Sequence, residues 1–297
     1  MSRRRAPFAG SMVALATPFR GGAIDWPRFA ALIETQIDAG SAALVPCGST
    51  GEAATLSHDE HAEVVRFAVE HARGRVPVIA GTGSNSTAEA IRLTTEAQRA
   101  GAAGALLISP YYNKPSQEGL LRHYRTVADA VDLPLLLYNI PGRTASRIEA
   151  ATIARLADHP NIVGLKESDT LDHTLDVLQL AGDRLTVYAG DDAVTFSIMA
   201  LGGGGVISTI ANVVPREMAE LAAACSAGEW ERGRALQLRL LPLIRACFSE
   251  TNPIPLKHAL ALLGLCEDEL RLPLTPMRDE GHRAAVAQAL RDLGRLR

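Results

Sequence analysis

Short apolar segments recur along the chain and alternate with longer amphipathic segments. The apolar segments are rich in Val, Ile, Leu and Ala, and their hydrophobicity is continuous instead of alternating. This pattern predicts strands that are buried on both faces, as in a parallel sheet. The predicted strands cover residues 12–17, 42–47, 76–82, 104–109, 133–139, 161–167, 185–190 and 205–210.

The segments between these strands have the length and the end signals of helices. Ser57–Glu60 and Ser86–Glu89 both have the spacing of a capping box, in which a hydroxyl and a carboxylate satisfy free backbone N–H groups. Gly40 and Gly101 follow two of these segments, where a left-handed residue is favoured.

The spacing of the predicted strands indicates the fold. Their starts lie about 20–34 residues apart, which fits strand–helix units that return to a parallel sheet. Eight such units predict an α/β fold, a (β/α)₈ TIM barrel, over residues 1–225. A doubly wound open sheet is the alternative. Residues 226–297 carry no strand pattern and are predicted to form a helical region packed on the barrel, with helices at 229–248, 253–264 and 279–295.

Composition excludes several classes of protein. The net charge is −3, which offers no basic field for nucleic acid or an anionic membrane. The chain is 47% hydrophobic, but no apolar run approaches the length of a membrane span. The four cysteines lack the spacing of a zinc site or a disulfide framework. We therefore expect a cytoplasmic protein without a metal site.

In a barrel of this kind the chemistry is expected where strands end. Lys166 ends the sixth apolar segment, whereas Lys114 lies in a loop and Lys257 in a helix of the C-terminal region. Burial disfavours an ammonium ion, and a neutral amine can attack a carbonyl to form a Schiff base. The alternatives are an outward-facing lysine or one that is paired with Glu167.

Other strand ends carry candidate polar groups. Tyr138 could relay protons to an adjacent amine or could be a core tyrosine. Ser49 and Thr50 lie in a glycine-flanked turn that could bind a carboxylate or simply form a turn. Arg143 could clamp a carboxylate or lie in solvent.

His58 and His61 are three residues apart on one predicted helix. They have neither the HExxH zinc spacing nor an obvious third ligand, so metal binding is not expected.

Nine motifs in order give the chain a strong family resemblance. It resembles the dihydrodipicolinate synthase family, within the pyruvate-dependent aldolases that include N-acetylneuraminate lyase, over residues 9–265. The motifs are GSMVALATPF, GSTGEAATLSHDEH, AGTGSNSTAEAI, SPYYNKPSQEGL, LYNIPGRT, GLKES, AGDD, GGGGVIS and NPIPLKHAL.

The resemblance implies a role for each matching residue. It implies a Schiff base between Lys166 and pyruvate, and a proton relay of Thr50, Tyr138 and a Tyr112 that reaches in from a neighbouring subunit. It also implies substrate-binding residues, which are Ser49, Thr50, Arg143, Gly190 and Ile207. Ser49 stands where the family usually has threonine, and it keeps the hydroxyl.

The resemblance also implies regulation and assembly. Positions matching a lysine-inhibition site are Ala54, His58, His61, Asn85, Glu89 and Tyr111. The family often has serine where this chain has Ala53, so inhibition is expected to be weakened. A homotetramer built from tight dimers is implied, with no organic cofactor.

The implied activity is condensation of pyruvate with L-aspartate semialdehyde, as in 4-hydroxy-tetrahydrodipicolinate synthases. The alternative that shares the lysine chemistry is a Schiff-base lyase or aldolase of keto sugar acids, from which Arg143 distinguishes it. A phosphosugar isomerase and a non-catalytic ligand sensor are further rivals, and neither predicts a lysine adduct.

Overall fold

The computed structural model describes residues 7–297 of the chain. The strands are Gly10–Ala14 (β1), Phe19–Arg20 (β2), Ala23–Ile24 (β3), Ala43–Val45 (β4), Ile79–Gly81 (β5), Gly104–Ile108 (β6), Leu135–Asn139 (β7), Ile162–Glu167 (β8), Thr186–Ala189 (β9) and Gly205–Ser208 (β10). The helices are Trp26–Asp38 (α1), His58–Ala72 (α2), Thr87–Arg99 (α3), Gln117–Asp129 (α4), Pro141–Thr144 (α5), Ala150–Leu156 (α6), Leu171–Ala181 (α7), Thr195–Ala200 (α8), Pro215–Ser226 (α9), Trp230–Cys247 (α10), Ile254–Leu262 (α11) and Glu280–Asp292 (α12).

Eight parallel strands form the barrel. Their order is β4-β1-β10-β9-β8-β7-β6-β5, and a parallel bridge between Leu44 and Val78 joins the two ends. A small antiparallel pair, β2 and β3, lies outside this sheet. Each of the eight apolar segments overlaps one barrel strand, which confirms the predicted (β/α)₈ fold and rejects the open sheet.

Alternation along the strands divides the core into two layers. Met12, Ile79, Leu136, Tyr138 and Tyr188 belong to a cluster that fills the barrel interior. The intervening strand residues face the surrounding helices and join a second, larger cluster. Inward and outward positions therefore carry different chemistry within a single strand.

The helix ends follow the expected chemistry with one exception. The capping box at Ser57 and Glu60 is present, and Gly40 and Gly101 have φ values of +87° and +88°. At α3 the Ser86 hydroxyl accepts from the Glu89 N–H, but the reciprocal half of the predicted capping box is wrong.

The Ser86 N–H donates to the Ser84 hydroxyl instead. The Glu89 carboxylate is drawn away from the helix start because it binds Ser84 and His58.

The C-terminal region contains α10, α11 and α12, close to the three predicted helices. These helices pack on each other. In addition, α10 contacts α8 and α9 of the barrel, and α11 contacts the short helical turn Ile210–Asn212 that follows β10. The division of the chain at residue 225 stays a prediction. Within residues 7–297, no helix combines the length and the apolar character needed to cross a membrane.

Candidate active site

Lys166 and Tyr138 are neighbours on adjacent barrel strands. The β7–β8 register pairs them directly, and the same register pairs Leu136 with Gly164 two residues earlier. Tyr138 belongs to the interior cluster, so the alternation turns Lys166 inward as well. The Lys166 Nζ lies 4.3 Å from the centre of the Tyr138 ring, and the lysine is 5% exposed.

Glu167 lies on the opposite face of β8 and does not neutralise Lys166. Its Oε1 accepts hydrogen bonds from Asn139 Nδ2 and the Asp169 N–H, both at 2.9 Å, and its Oε2 lies 3.1 Å from His173 Nδ1. This carboxylate raises the pKa of His173. The predicted alternative of a Lys166–Glu167 pair is therefore wrong, because successive strand residues face opposite sides.

Glu167, Asp169 and His173 bring potential metal-ligand atoms within 4.8 Å of one another. The Arg147 Nε lies 2.6 Å from Asp169 Oδ2, and the Asn139 amide donates a hydrogen bond to the Glu167 carboxylate. A guanidinium at this distance already supplies the positive charge that a cation would bring. We therefore read the group as an ion-pair network that supports the end of β8.

Gly190 makes room for the lysine. A Cβ at this position would lie 2.1 Å from Ser168 Oγ and 2.9 Å from Lys166 Cγ. The Gly190 N–H donates to the Glu167 carbonyl at 2.7 Å. Any larger residue would therefore displace the side chain that carries the amine.

A cavity of about 410 Å³ opens above Lys166. Most of the predicted substrate site lines it, namely Ser49, Thr50, Tyr138, Arg143, Lys166 and Gly190. Arg143 is exposed at the mouth and Lys166 lies at the buried end. The cavity thus offers an amine at depth and a guanidinium at its entrance.

Asn252 connects two of these residues and was missed by the sequence analysis. Its Nδ2 donates to Thr50 Oγ1 at 2.9 Å, and its carbonyl accepts from Arg143 at 2.8 Å. In the sequence, Asn252 is only the first residue of the NPIPLKHAL motif, between two predicted helices. The signal that could have found it is the polar residue in the NPIP motif, whose partners lie more than 100 residues away.

Two predicted residues lie apart from the cavity lining. Ile207 is fully buried in β10, within the interior cluster that includes Tyr138. Tyr112 is 89% exposed and has a φ of +73°, which is unusual for a bulky residue. Its role in a relay stays a prediction that requires a second chain.

A second cavity, of about 470 Å³, adjoins the first. The two share lining residues that include Ser49, Tyr138 and Arg143. Most of the predicted lysine-binding residues line the second cavity, namely Ala54, His58, His61, Glu89 and Tyr111. Asn85 lies beside them, and its Nδ2 donates to the Tyr111 carbonyl at 3.2 Å.

The two histidines of α2 have separate partners. His58 Nε2 lies 2.8 Å from Glu89 Oε1, whereas the buried His61 places Nε2 2.7 Å from the Gly81 carbonyl. Burial lowers the pKa of His61, so it is a neutral donor to that carbonyl. The Ser84 hydroxyl, followed by His58, lowers the pKa of Glu89. Glu89 thus presents a negative charge to the second cavity.

The chain is similar to known proteins over nearly its whole length. A family model described as "Dihydrodipicolinate synthetase family" matches residues 7–293. A "4-hydroxy-tetrahydrodipicolinate synthase" of Pelobacter propionicus is 51% identical over 288 residues, covering 97% of this chain and 99% of that protein.

The fold of this chain is also similar to that of solved structures. The chloride-inhibited dihydrodipicolinate synthase from Acinetobacter baumannii, complexed with pyruvate, has a TM-score of 0.95 and 43% identity, covering 97% of this chain and 100% of that one. The enzyme from Cyanidioschyzon merolae with lysine bound has a TM-score of 0.93 and 38% identity, covering 97% and 99%. The chain is an enzyme, and it belongs to the dihydrodipicolinate synthetase family.

Proposed function

We propose that the chain condenses pyruvate with L-aspartate semialdehyde through a Schiff base on Lys166, as a 4-hydroxy-tetrahydrodipicolinate synthase of lysine biosynthesis. One observation carries the proposal. Lys166 is 5% exposed, ends in a cavity of about 410 Å³, and forms no ion pair within residues 7–297. A buried amine that is not held in an ion pair and that faces a cavity is placed to attack a ketone carbon.

The reaction runs through covalent steps on the lysine. The amine adds to the ketone carbon of pyruvate, and water leaves as the carbon–nitrogen double bond forms. Loss of a methyl proton then gives an enamine, with the nitrogen accepting the electron pair. The enamine carbon attacks the aldehyde carbon, whose oxygen takes up a proton. The amino group of the second substrate finally attacks the iminium carbon, which closes the ring and releases the lysine.

The lining residues divide these tasks. Thr50 and Tyr138 relay protons beside the amine, together with Tyr112 of a neighbouring subunit. The hydroxyls of Ser49 and Thr50 bind the pyruvate carboxylate, and Gly190 borders the pocket. Ile207 lies in the interior cluster with Tyr138, and its predicted contact with substrate would need its backbone. Arg143, at the exposed mouth, binds the carboxylate of the semialdehyde.

Borohydride reduction in the presence of pyruvate tests this function. We expect a mass increase on the peptide that contains Lys166, and none in a Lys166→Ala variant. In a separate assay without borohydride, addition of the semialdehyde should consume pyruvate, whereas keto sugar acids should not be cleaved. A wild-type chain without the adduct would refute the mechanism, and cleavage of a sugar acid in preference to condensation would favour the rival lyase.

Lysine inhibition belongs to the same proposal. The second cavity carries the ionised Glu89 for an ammonium group and adjoins the active cavity through Ser49, Tyr138 and Arg143. We expect millimolar lysine to slow turnover, and Glu89→Gln to weaken that effect without loss of the pyruvate adduct. Turnover that is unchanged by millimolar lysine would remove this part.

A homotetramer of tight dimers accounts for Tyr112. A tyrosine that is 89% exposed in a left-handed conformation has no evident use in a single chain, whereas a second subunit could receive it. Sedimentation should show a tetramer, and Tyr112→Ala should reduce turnover. All four cysteines are free and buried, which suits the cytoplasm that we propose as its location.

A further inference from the structure

Lys257 is a fully buried cation in the C-terminal region. It lies on α11 at 0% exposure, and its Nζ is 2.5 Å from Glu52 Oε1. The same Nζ donates to the Glu269 carbonyl at 2.8 Å and lies 4.0 Å from the centre of the Phe19 ring. Its partner Glu52 belongs to the GSTGE turn, which also carries Ser49 and Thr50. The ion pair therefore joins the C-terminal helices to the turn at the active cavity.

Glu52 closes this turn in an unfavourable backbone conformation. Its φ is +54°, in the left-handed region that costs a non-glycine residue about 1–2 kcal/mol. The Glu52 N–H donates to the Ser49 carbonyl at 3.2 Å, and Glu52 Oε2 accepts from the Arg271 N–H at 3.0 Å. Contacts with residues of the C-terminal region hold both carboxylate oxygens. A residue in this conformation persists only where its surroundings hold it.

The turn is also held at Thr50 and pressed against the barrel. Asn252 donates to Thr50 Oγ1, so the Thr50 proton can point to another acceptor. Thr17 Oγ1 donates to the Gly51 carbonyl at 2.8 Å, and a Cβ at Gly51 would lie 3.0 Å from the Leu15 carbonyl oxygen. The C-terminal region thus fixes both Thr50 and Glu52.

Stability alone does not account for the ion pair. Removal of two charges from water costs about as much as their attraction returns, and apolar replacements of buried pairs are often neutral. The position of the turn, in contrast, decides where the hydroxyls of Ser49 and Thr50 lie relative to Lys166.

We infer that Glu52 and Lys257 are positioning residues, which hold the Ser49–Thr50 turn toward the cavity of Lys166. The inference rests on the proposed function, because it assigns to the pair an effect on that reaction. Neither residue lines the active cavity, so both act through the turn.

A neutral double variant, Glu52→Gln with Lys257→Met, tests the inference. It removes both charges together and leaves neither one unpaired in the interior. The matched control is Glu60→Gln, which breaks the ion pair between Glu60 and Arg271 in the same interface but outside the turn. For each variant we would measure thermal unfolding, the borohydride-trapped pyruvate adduct, kcat and the KM for pyruvate.

We expect the double variant to fold and to form the adduct at saturating pyruvate, with kcat/KM reduced at least about tenfold. The control should keep kcat/KM within about twofold although its unfolding temperature falls. An unchanged kcat/KM in the double variant, or an equal loss in the control, would overturn the inference.

If the double variant does not fold, Glu52→Asp decides the question. It keeps both charges and shortens the carboxylate arm by one methylene, so the turn must shift to preserve the pair. A fall in kcat/KM with a normal adduct supports positioning, and an unchanged kcat/KM overturns it. Absence of the adduct in the wild-type chain would instead refute the role of Lys166, on which this inference depends.

Discussion

Lys166 and Lys257 are both buried, yet their surroundings differ. Lys257 meets Glu52 at 2.5 Å and a backbone carbonyl, whereas Lys166 meets the face of Tyr138 and a cavity. Burial lowers the pKa of Lys257, and the Glu52 carboxylate opposes that shift. An amine that already has an anion beside it forms a structural ion pair. An amine without one, next to an open cavity, is available to a carbonyl substrate.

Substitution of Lys166 is the most direct test of this difference between the two buried lysines. We expect Lys166→Met to abolish the pyruvate adduct and to lower kcat by at least about 1,000-fold, since the covalent route is lost. Its stability should change little or rise, because a buried amine without a counter-ion is removed. Activity within tenfold of the wild type would show that the buried amine at the cavity is not the nucleophile.

The reverse result is expected at Lys257. Lys257→Met leaves Glu52 charged and unpaired in the interior, which should lower the free energy of unfolding by about 3–5 kcal/mol. Urea unfolding would measure this loss, and addition of Glu52→Gln should recover most of it. Loss of stability that the second change does not recover would mean that packing by the lysine stem, and not its charge, is what matters.

His123 sharpens the comparison because it is a buried base that forms no ion pair within residues 7–297. Burial lowers its pKa to about 4, its Nδ1 lies 2.9 Å from Thr87 Oγ1, and its Nε2 has no partner within residues 7–297. The unfolded chain takes up the proton below pH 6.5 but the folded chain only near 4. Stability is therefore present above 6.5 and falls as the pH drops toward 4, by about 3 kcal/mol.

The variant His123→Phe isolates this contribution. The free energy of unfolding would be measured for both proteins at pH 7, 5.5 and 4.5. As the pH falls, the value for the wild type should decrease relative to that of the variant. A difference that is independent of pH would show that His123 binds its proton equally well in both states.

The smallest expected effect is at the cavity mouth. Arg143 is exposed and bonded to the Asn252 carbonyl, so Arg143→Ala should leave the fold and the pyruvate adduct intact. Its kcat/KM for the semialdehyde should fall by about 10- to 100-fold, as loss of a charged hydrogen bond predicts. Equal damage to adduct formation and to use of the aldehyde would count against its assigned role.

The barrel could be predicted because its pattern is local and repeated. Continuous apolar segments at regular spacing define parallel strands, and the order of strand ends along the chain brings Lys166, Tyr138 and Ser49–Thr50 to one mouth. The sequence left open whether Lys166 points into the barrel mouth, pairs with Glu167 or faces solvent. Strand alternation, read in register against β7, resolves it in favour of the cavity.

Other features depend on contacts between residues far apart in the chain. Nothing near Lys257 in the sequence identifies its ion-pair partner, since Glu52 lies more than 200 residues away. The same holds for Asn252 and Thr50. The sequence assigns the Glu89 carboxylate to the cap of its own helix, α3. In the folded chain the carboxylate instead binds His58 of α2 and Ser84 of the loop before α3.

The sequence by itself determined the eight-unit barrel, the residue types at its strand ends and the family to which the chain belongs. Hydrophobic periodicity and short motifs carry that information because they arise from neighbours along the chain. Only the tertiary structure decided which buried amine is neutralised and which faces a cavity. Electrostatic stabilisation acts over a few ångströms in space, and the chain brings those distant partners together only when it folds.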